Sequence, residues 1–155
     1  MQILYTDVIR GKPSFEESLG ARFVDKKTLF SESDFVILHV PLIPETPNYI
    51  SAAELNFMKP TAILINASRG PVVDEKALVQ ALQEGKIAGA GLDVYENEPE
   101  FKPILIQMKN VVLAPHIASA SRESRLRMAM MAAENLVAGL MGKDPPNLVN
   151  EEVFQ

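Results

Sequence analysis

Short apolar runs without polar alternation recur along this chain and alternate with segments of helical spacing. A half-exposed strand alternates apolar and polar residues, whereas a strand buried on both faces does not. The pattern therefore predicts an α/β layered fold: a parallel sheet, flanking helices and right-handed crossovers. Strands are expected over residues 3–6, 22–24, 35–40, 62–66, 89–94 and 111–114. Helices are expected over 15–19, 29–32 and 52–58, the last stopped by Pro60. Asp74 caps a further helix with Leu78, Ala81 and Leu82 on one face, ending at Gly85. Ser119 or Ser121 caps a long one whose face uses Leu126, Ala129, Met130, Ala133, Val137 and Leu140, before Gly142 and Pro145 end it.

Bulk properties remove several function classes. The 155 residues suffice for one domain with a real core, and 47% hydrophobic with 23% charged residues is ordinary globular composition. A net charge of -5 without a basic block argues against nucleic-acid or anionic-membrane partners. There is no cysteine for thiol chemistry, and His39 and His116 are too far apart for a zinc motif, so no metal is expected. No apolar run approaches the ~20 residues of a membrane span. The opening MQILYTD carries no basic region before an apolar stretch, so a cytoplasmic protein is the default.

Ligands of open parallel sheets bind outside the carboxyl ends of the strands, so those ends decide the chemistry. Asp7 follows the first strand. It could accept both ribose hydroxyls of an adenine dinucleotide and repel a 2′-phosphate, or be a solvated turn residue. Arg10 nearby could hold that phosphate instead, and the sequence leaves these readings open. The third strand runs into His39-Val40-Pro41-Leu42, which either simply stops the strand or forms one wall of an adenine slot. The fourth runs into Asn66-Ala67-Ser68-Arg69-Gly70. A guanidinium at this edge matches a carboxylate or an α-keto acid better than it does a random surface pair. Asp93 and Glu98 follow the fifth strand, Asp93 as an acceptor for a carboxamide and Glu98 in an acidic, otherwise solvated loop. His116 follows the last and is well placed for proton transfer near neutral pH. Together these groups suit hydride transfer to or from a small hydroxy or keto acid.

Four stretches carry a family likeness. Asn66 to Asp74 (NASRGPVVD) resembles the arginine signature of the D-isomer-specific 2-hydroxyacid dehydrogenases. Ala90 to Pro99 (AGLDVYENEP) is similar to their glutamate segment, and Ala114 to Ser119 (APHIAS) to their histidine segment. His39 to Thr46 (HVPLIPET) resembles the loop bordering their adenine pocket. The resemblance implies that Arg69 grips the substrate carboxylate and carbonyl oxygen. It implies that His116 exchanges a proton with the carbonyl as hydride passes, and that Glu98 pairs with the imidazole and fixes its tautomer. It further implies a cofactor, NAD or NADP, held by Asp7, Val40, Pro41, Thr46, Ala67, Ser68, Arg69, Asp93, His116 and Ala118, with Asp7 favouring NAD. The opening and the tail look most like the glyoxylate/hydroxypyruvate reductase branch, so those keto acids are the expected substrates and a homodimer is an expected assembly.

The same family places a strand and a G-x-G-x-x-G turn just before the segment equivalent to Met1, and none of the eight glycines forms that pattern. The expectation is thus an incomplete Rossmann-type sheet, lacking the first strand and the glycine-rich turn. Residues 1–155 read as the C-terminal portion of an NAD(P)-binding domain, with the substrate domain absent and the sequence cut at an internal methionine. Without the central strand, backbone groups and an apolar gap should be uncovered, and the isolated chain should turn over little. The alternative is a non-catalytic half-Rossmann module for binding or interaction.

Overall fold

Four strands of the chain end in one row, because each runs out of apolar residues at the same height of a parallel sheet. The computed structural model describes residues 1–150 and Glu152. One compact unit is Met1–His116, and a second begins at Ile117. In the first, β1 (Ile3–Tyr5) pairs in parallel with β2 (Ala21–Phe23). A separate parallel sheet has the order β3 (Phe35–Leu38), β4 (Ile63–Asn66), β5 (Gly89–Leu92), β6 (Val111–Leu113). Leu38 lies opposite Asn66, Asn66 opposite Leu92, and Leu92 opposite Leu113. This row is the carboxyl rim on which the site is built.

Helices α1 (Pro13–Leu19), α2 (Lys26–Glu32), α3 (Ala52–Phe57), α4 (Glu75–Gln83) and α5 (Ile104–Gln107) follow β1, β2, β3, β4 and β5 respectively. Their starts are set by side chains that accept orphan N–H groups. Asp25 accepts from Thr28, Asp74 from Ala77, and Ser51 forms a capping box with Glu54. Helix α2 packs on α3 and α3 on α4. Phe30, Ile50, Leu55, Leu64 and Leu78 are fully enclosed between these helices and the sheet. The expected α4 stripe of Leu78, Ala81 and Leu82 is buried throughout.

The sheet is split where the sequence predicts a missing strand. The edges of β1 and β3 are not joined, and a cavity of about 530 Å³ is lined by Met1–Leu4 and by the segment from Glu32 to Ile37. Phe35 and Ile37, on the face of β3 turned away from the core, are 61% and 55% exposed. An uninterrupted apolar run thus marks β3 as a strand fit for burial on both faces, and only one is covered.

Several element boundaries differ from the sequence expectation. Strand β3 stops at Leu38, before His39 and Val40, so both belong to the loop rather than the strand. Helix α3 ends at Phe57, and Met58, two residues before Pro60, already has extended backbone. Helix α2 starts earlier than its apolar residues suggest, because Asp25 caps it. The short α5 and a 3-10 turn at Gly70–Val72 carry no expectation from sequence. Four and three residues are too few for a helical period to register.

The second unit is dominated by α6 (Arg122–Leu140), capped by Ser121 rather than Ser119. Its predicted stripe of Leu126, Met130, Val137 and Leu140 is exposed along its length, so the periodicity identifies a helix without identifying what covers it. Asn135 Oδ1 accepts from the Asn147 N–H at 3.0 Å and holds the chain after the helix. No helix among the described residues is long and apolar enough to cross a membrane.

Candidate active site

Three neighbouring strands deliver the arginine, the glutamate and the histidine to the same rim. Arg69 lies just beyond the end of β4, Glu98 in the loop after β5, and His116 just beyond β6. The adjacency is reinforced by backbone bonds across the rim. The Asp93 N–H donates to Asn66 O, and the His116 N–H donates to Asp93 O, each at 2.9 Å. Asp93 therefore staples the ends of all three strands, and its side chain is buried.

The arginine loop is fixed from beneath by Asn66, which is 1% exposed. Its Oδ1 accepts from the N–H and the hydroxyl of Ser68, and its Nδ2 donates to Arg69 O. Arg69 has extended backbone, and its Nη1 donates to Ser68 O at 2.7 Å. One guanidinium donor is thus occupied locally, while the remaining fork keeps several N–H groups. Sequence reasoning treats Asn66 only as the last strand residue. A polar residue closing a wholly apolar strand is the signal that could have found it, since a buried amide needs partners.

Glu98 and His116 meet directly. Glu98 Oε2 is 2.9 Å from His116 Nδ1, and Glu98 Oε1 accepts from the Tyr95 N–H at 3.0 Å. A carboxylate can only accept, so Nδ1 carries a proton and Nε2 is left as the outward-facing nitrogen. The hydrogen bond from His116 holds the Glu98 carboxyl below its usual range, opposed by desolvation and aided by the Tyr95 N–H and the charge of Arg69. Glu98 therefore feels both the hydrogen bond of His116 and the charge of Arg69. His116 also has a left-handed backbone, with φ 54. This region is uncommon for residues other than glycine, and such outliers cluster at functional sites.

A concavity of about 380 Å³ opens beside the arginine loop, lined by His39, Val40, Pro41, Leu42, Ala67, Ser68 and Arg69. It brings together five of the residues expected to hold a cofactor: Val40, Pro41, Ala67, Ser68 and Arg69. Thr46 lies elsewhere, buried beneath the loop, where its hydroxyl donates to Pro41 O and accepts from the Ile43 N–H. It shapes this wall rather than lining it. Ala118 belongs to the second unit.

Asp7 is exposed at the end of β1, its Oδ1 accepting from the Val8 N–H at 2.6 Å. Arg10 is already engaged: it grips Glu16 through Nε and Nη2 at 2.8 and 2.9 Å. The hydrogen bond from Arg10, followed by one from the Tyr5 hydroxyl, pushes the Glu16 carboxyl down to about 2. The guanidinium that the sequence offers for a 2′-phosphate is thus paired with Glu16.

A family model described as the D-isomer specific 2-hydroxyacid dehydrogenase NAD-binding domain matches residues 1–118. A glyoxylate reductase of Thermococcus litoralis is 57% identical over 154 residues, which is 99% of this chain and 46% of that protein. A solved putative D-isomer-specific 2-hydroxyacid dehydrogenase from Polaromonas superposes with a TM-score of 0.90 at 31% identity, over 96% of this chain and 46% of that one. A D-isomer-specific 2-hydroxyacid dehydrogenase from Lactobacillus delbrueckii, solved with NAD, superposes at 0.87 with 35% identity, over 96% and 48%. The chain spans less than half the length of each of these proteins.

Proposed function

The chain belongs to the D-isomer-specific 2-hydroxyacid dehydrogenases, its residues 1–118 matching their NAD-binding domain, and from that premise we propose that it carries the proton-transfer and acid-gripping side chains of an enzyme interconverting small 2-keto and 2-hydroxy acids. Glyoxylate is the first candidate substrate, hydroxypyruvate the second. The single observation that carries the reading is the 2.9 Å bond between Glu98 and His116 Nδ1.

That bond leaves His116 Nε2 to give a proton to a substrate carbonyl oxygen in reduction and to take it from the hydroxyl in oxidation. Glu98 stabilises the cationic ring and keeps the same nitrogen outward through the cycle. The free donors of Arg69 bind the substrate carboxylate and polarise the neighbouring carbonyl, which raises the share of binding energy felt as charge develops on oxygen. A nicotinamide cofactor supplies the hydride. The apolar wall of Val40, Pro41 and Leu42 facing the polar Ser68 floor suits a flat heteroaromatic ring with a polar edge, and Asp93 is the candidate acceptor for a carboxamide. Asp7 would accept ribose hydroxyls, and the engagement of Arg10 by Glu16 favours NAD over NADP. Residues 1–155 are then the C-terminal portion of the cofactor domain.

The test is a chimera. The matching 46% of the Thermococcus litoralis protein is replaced by these residues, and reduction of glyoxylate by NADH and NADPH is followed. Saturable turnover that falls about 10²–10⁴-fold in His116→Ala, the range of a lost general acid, is expected. Turnover indifferent to that substitution would refute the assignment.

A further inference from the structure

We infer that Tyr95 is the positioning residue that locks the arginine, glutamate and histidine loops into one geometry. The inference rests on the functional reading above for its purpose, though its structural content is independent of it.

Tyr95 touches all three loops through three different groups. Its backbone N–H donates to Glu98 Oε1 at 3.0 Å, which sets the carboxylate from the side opposite His116. Its phenol hydroxyl donates to Ala114 O at 2.8 Å, two residues before His116, with Leu92 O a longer contact at 3.3 Å. Its backbone carbonyl rests on Gly70, the residue after Arg69. A Cβ built on Gly70 would lie 1.8 Å from Tyr95 O and 2.6 Å from Glu96 N. No side chain fits there, so the arginine turn and the glutamate loop are in backbone contact.

The loop bearing Tyr95 is itself held on its far side. Glu75, 3% exposed at the start of α4, accepts from the Glu96 N–H at 2.6 Å, and Lys102 bridges Glu75 and Glu96. The Tyr95 ring packs on Phe101 with centroids 5.5 Å apart. Burial raises the phenol pKa, so the hydroxyl remains a donor at neutral pH. The ring is thus held at its hydroxyl and by Phe101, and the peptide groups beside it contact Glu98 and Gly70. A hydroxyl that ties the β5 loop to the end of β6 has no bearing on how many apolar atoms the core buries. Its contribution is the angle at which imidazole and carboxylate meet.

The test needs neither substrate nor turnover, so its outcome is separable from that of the chimera. The full 155-residue chain, labelled with 15N-histidine, is examined above the imidazole titration range by long-range 15N–1H correlation. This experiment distinguishes Nδ1–H from Nε2–H tautomers. The wild-type chain is expected to show His116 predominantly as the Nδ1–H form, and Glu98→Gln defines the pattern when the carboxylate is lost. Tyr95→Phe keeps the ring and its packing but removes the bond to Ala114 O. It is expected to move His116 from one predominant tautomer to a mixture while the His39 pattern stays unchanged. An unaltered His116 tautomer in Tyr95→Phe would overturn the inference. So would a parallel change at His39, which would mean general loosening rather than positioning.

Discussion

His116 holds a backbone conformation that disfavours side chains, at a cost of order 1 kcal/mol, and its amide is tied to Asp93 O. That strain is maintained by the rim, and it aims the ring at Glu98. The Glu98 carboxyl lies below its ordinary value of 4.5 in the folded chain. Its stabilising contribution is therefore fully present above that value and is lost as pH falls through the lower, folded one. The difference in thermal midpoint between the wild type and Glu98→Gln should shrink in acid as pH falls below about 4.5. Melts across that range check it, and a difference that grows in acid would contradict the pairing. On the cofactor side, Asp7→Ser in the chimera should cut the preference for NADH over NADPH by about tenfold, equivalent to roughly 1.4 kcal/mol. The ratio of kcat/KM for the two cofactors measures it. At this scale Arg69 and His116 are legible in sequence as candidates from their places after strands, and Glu98 only through the family likeness. The residues that orient them are not. Asn66 reads as a strand end, Gly70 as a turn and Tyr95 as one aromatic in an acidic loop, since each acts through contacts made only when distant segments meet.

Among the elements, β4 is the central support of the site. It pairs on both sides, its Leu64 is fully buried, and its last residue opens the arginine loop. Leu64→Ala should cost about 2–5 kcal/mol, read by denaturant unfolding. Ser51→Ala, which removes the capping box of α3, should cost about 1 kcal/mol. Val8→Ala, at a site 98% exposed, should stay within about 0.5 kcal/mol of wild type. The strands are legible because buried parallel strands are written as continuous apolar runs, and α4 because its stripe and cap agree. The 3-10 turn and α5 leave no period to read. They form where Gly70 and Pro71 or Pro103 bend the chain, under packing the sequence does not display.

For the whole molecule, the split between β1 and β3 matters most. An extended apolar segment seated there would complete both ladders and cover Phe35 and Ile37, with about 1.5–3 kcal/mol available per large side chain fully buried. In the chimera, amide exchange over residues 1–4 and 34–37 should be slower than in the chain alone. The isolated chain should reduce glyoxylate at least about 10²-fold more slowly than the chimera, since it spans less than half the length of the Thermococcus litoralis relative and turnover depends on fixed orientation. A missing strand is legible in sequence from the family pattern, whereas the division into two units is not, because the α6 stripe looks like any core-facing helix. We propose that Glu98 and His116 act as one proton-transfer unit beside Arg69 at one sheet edge. Its sharpest test is kcat/KM of the chimera carrying Glu98→Gln and His116→Ala together, set beside His116→Ala alone. Groups that act as a unit lose their effect together, so the double variant should be about as impaired as His116→Ala. Losses that multiply independently across the two sites would contradict the pairing.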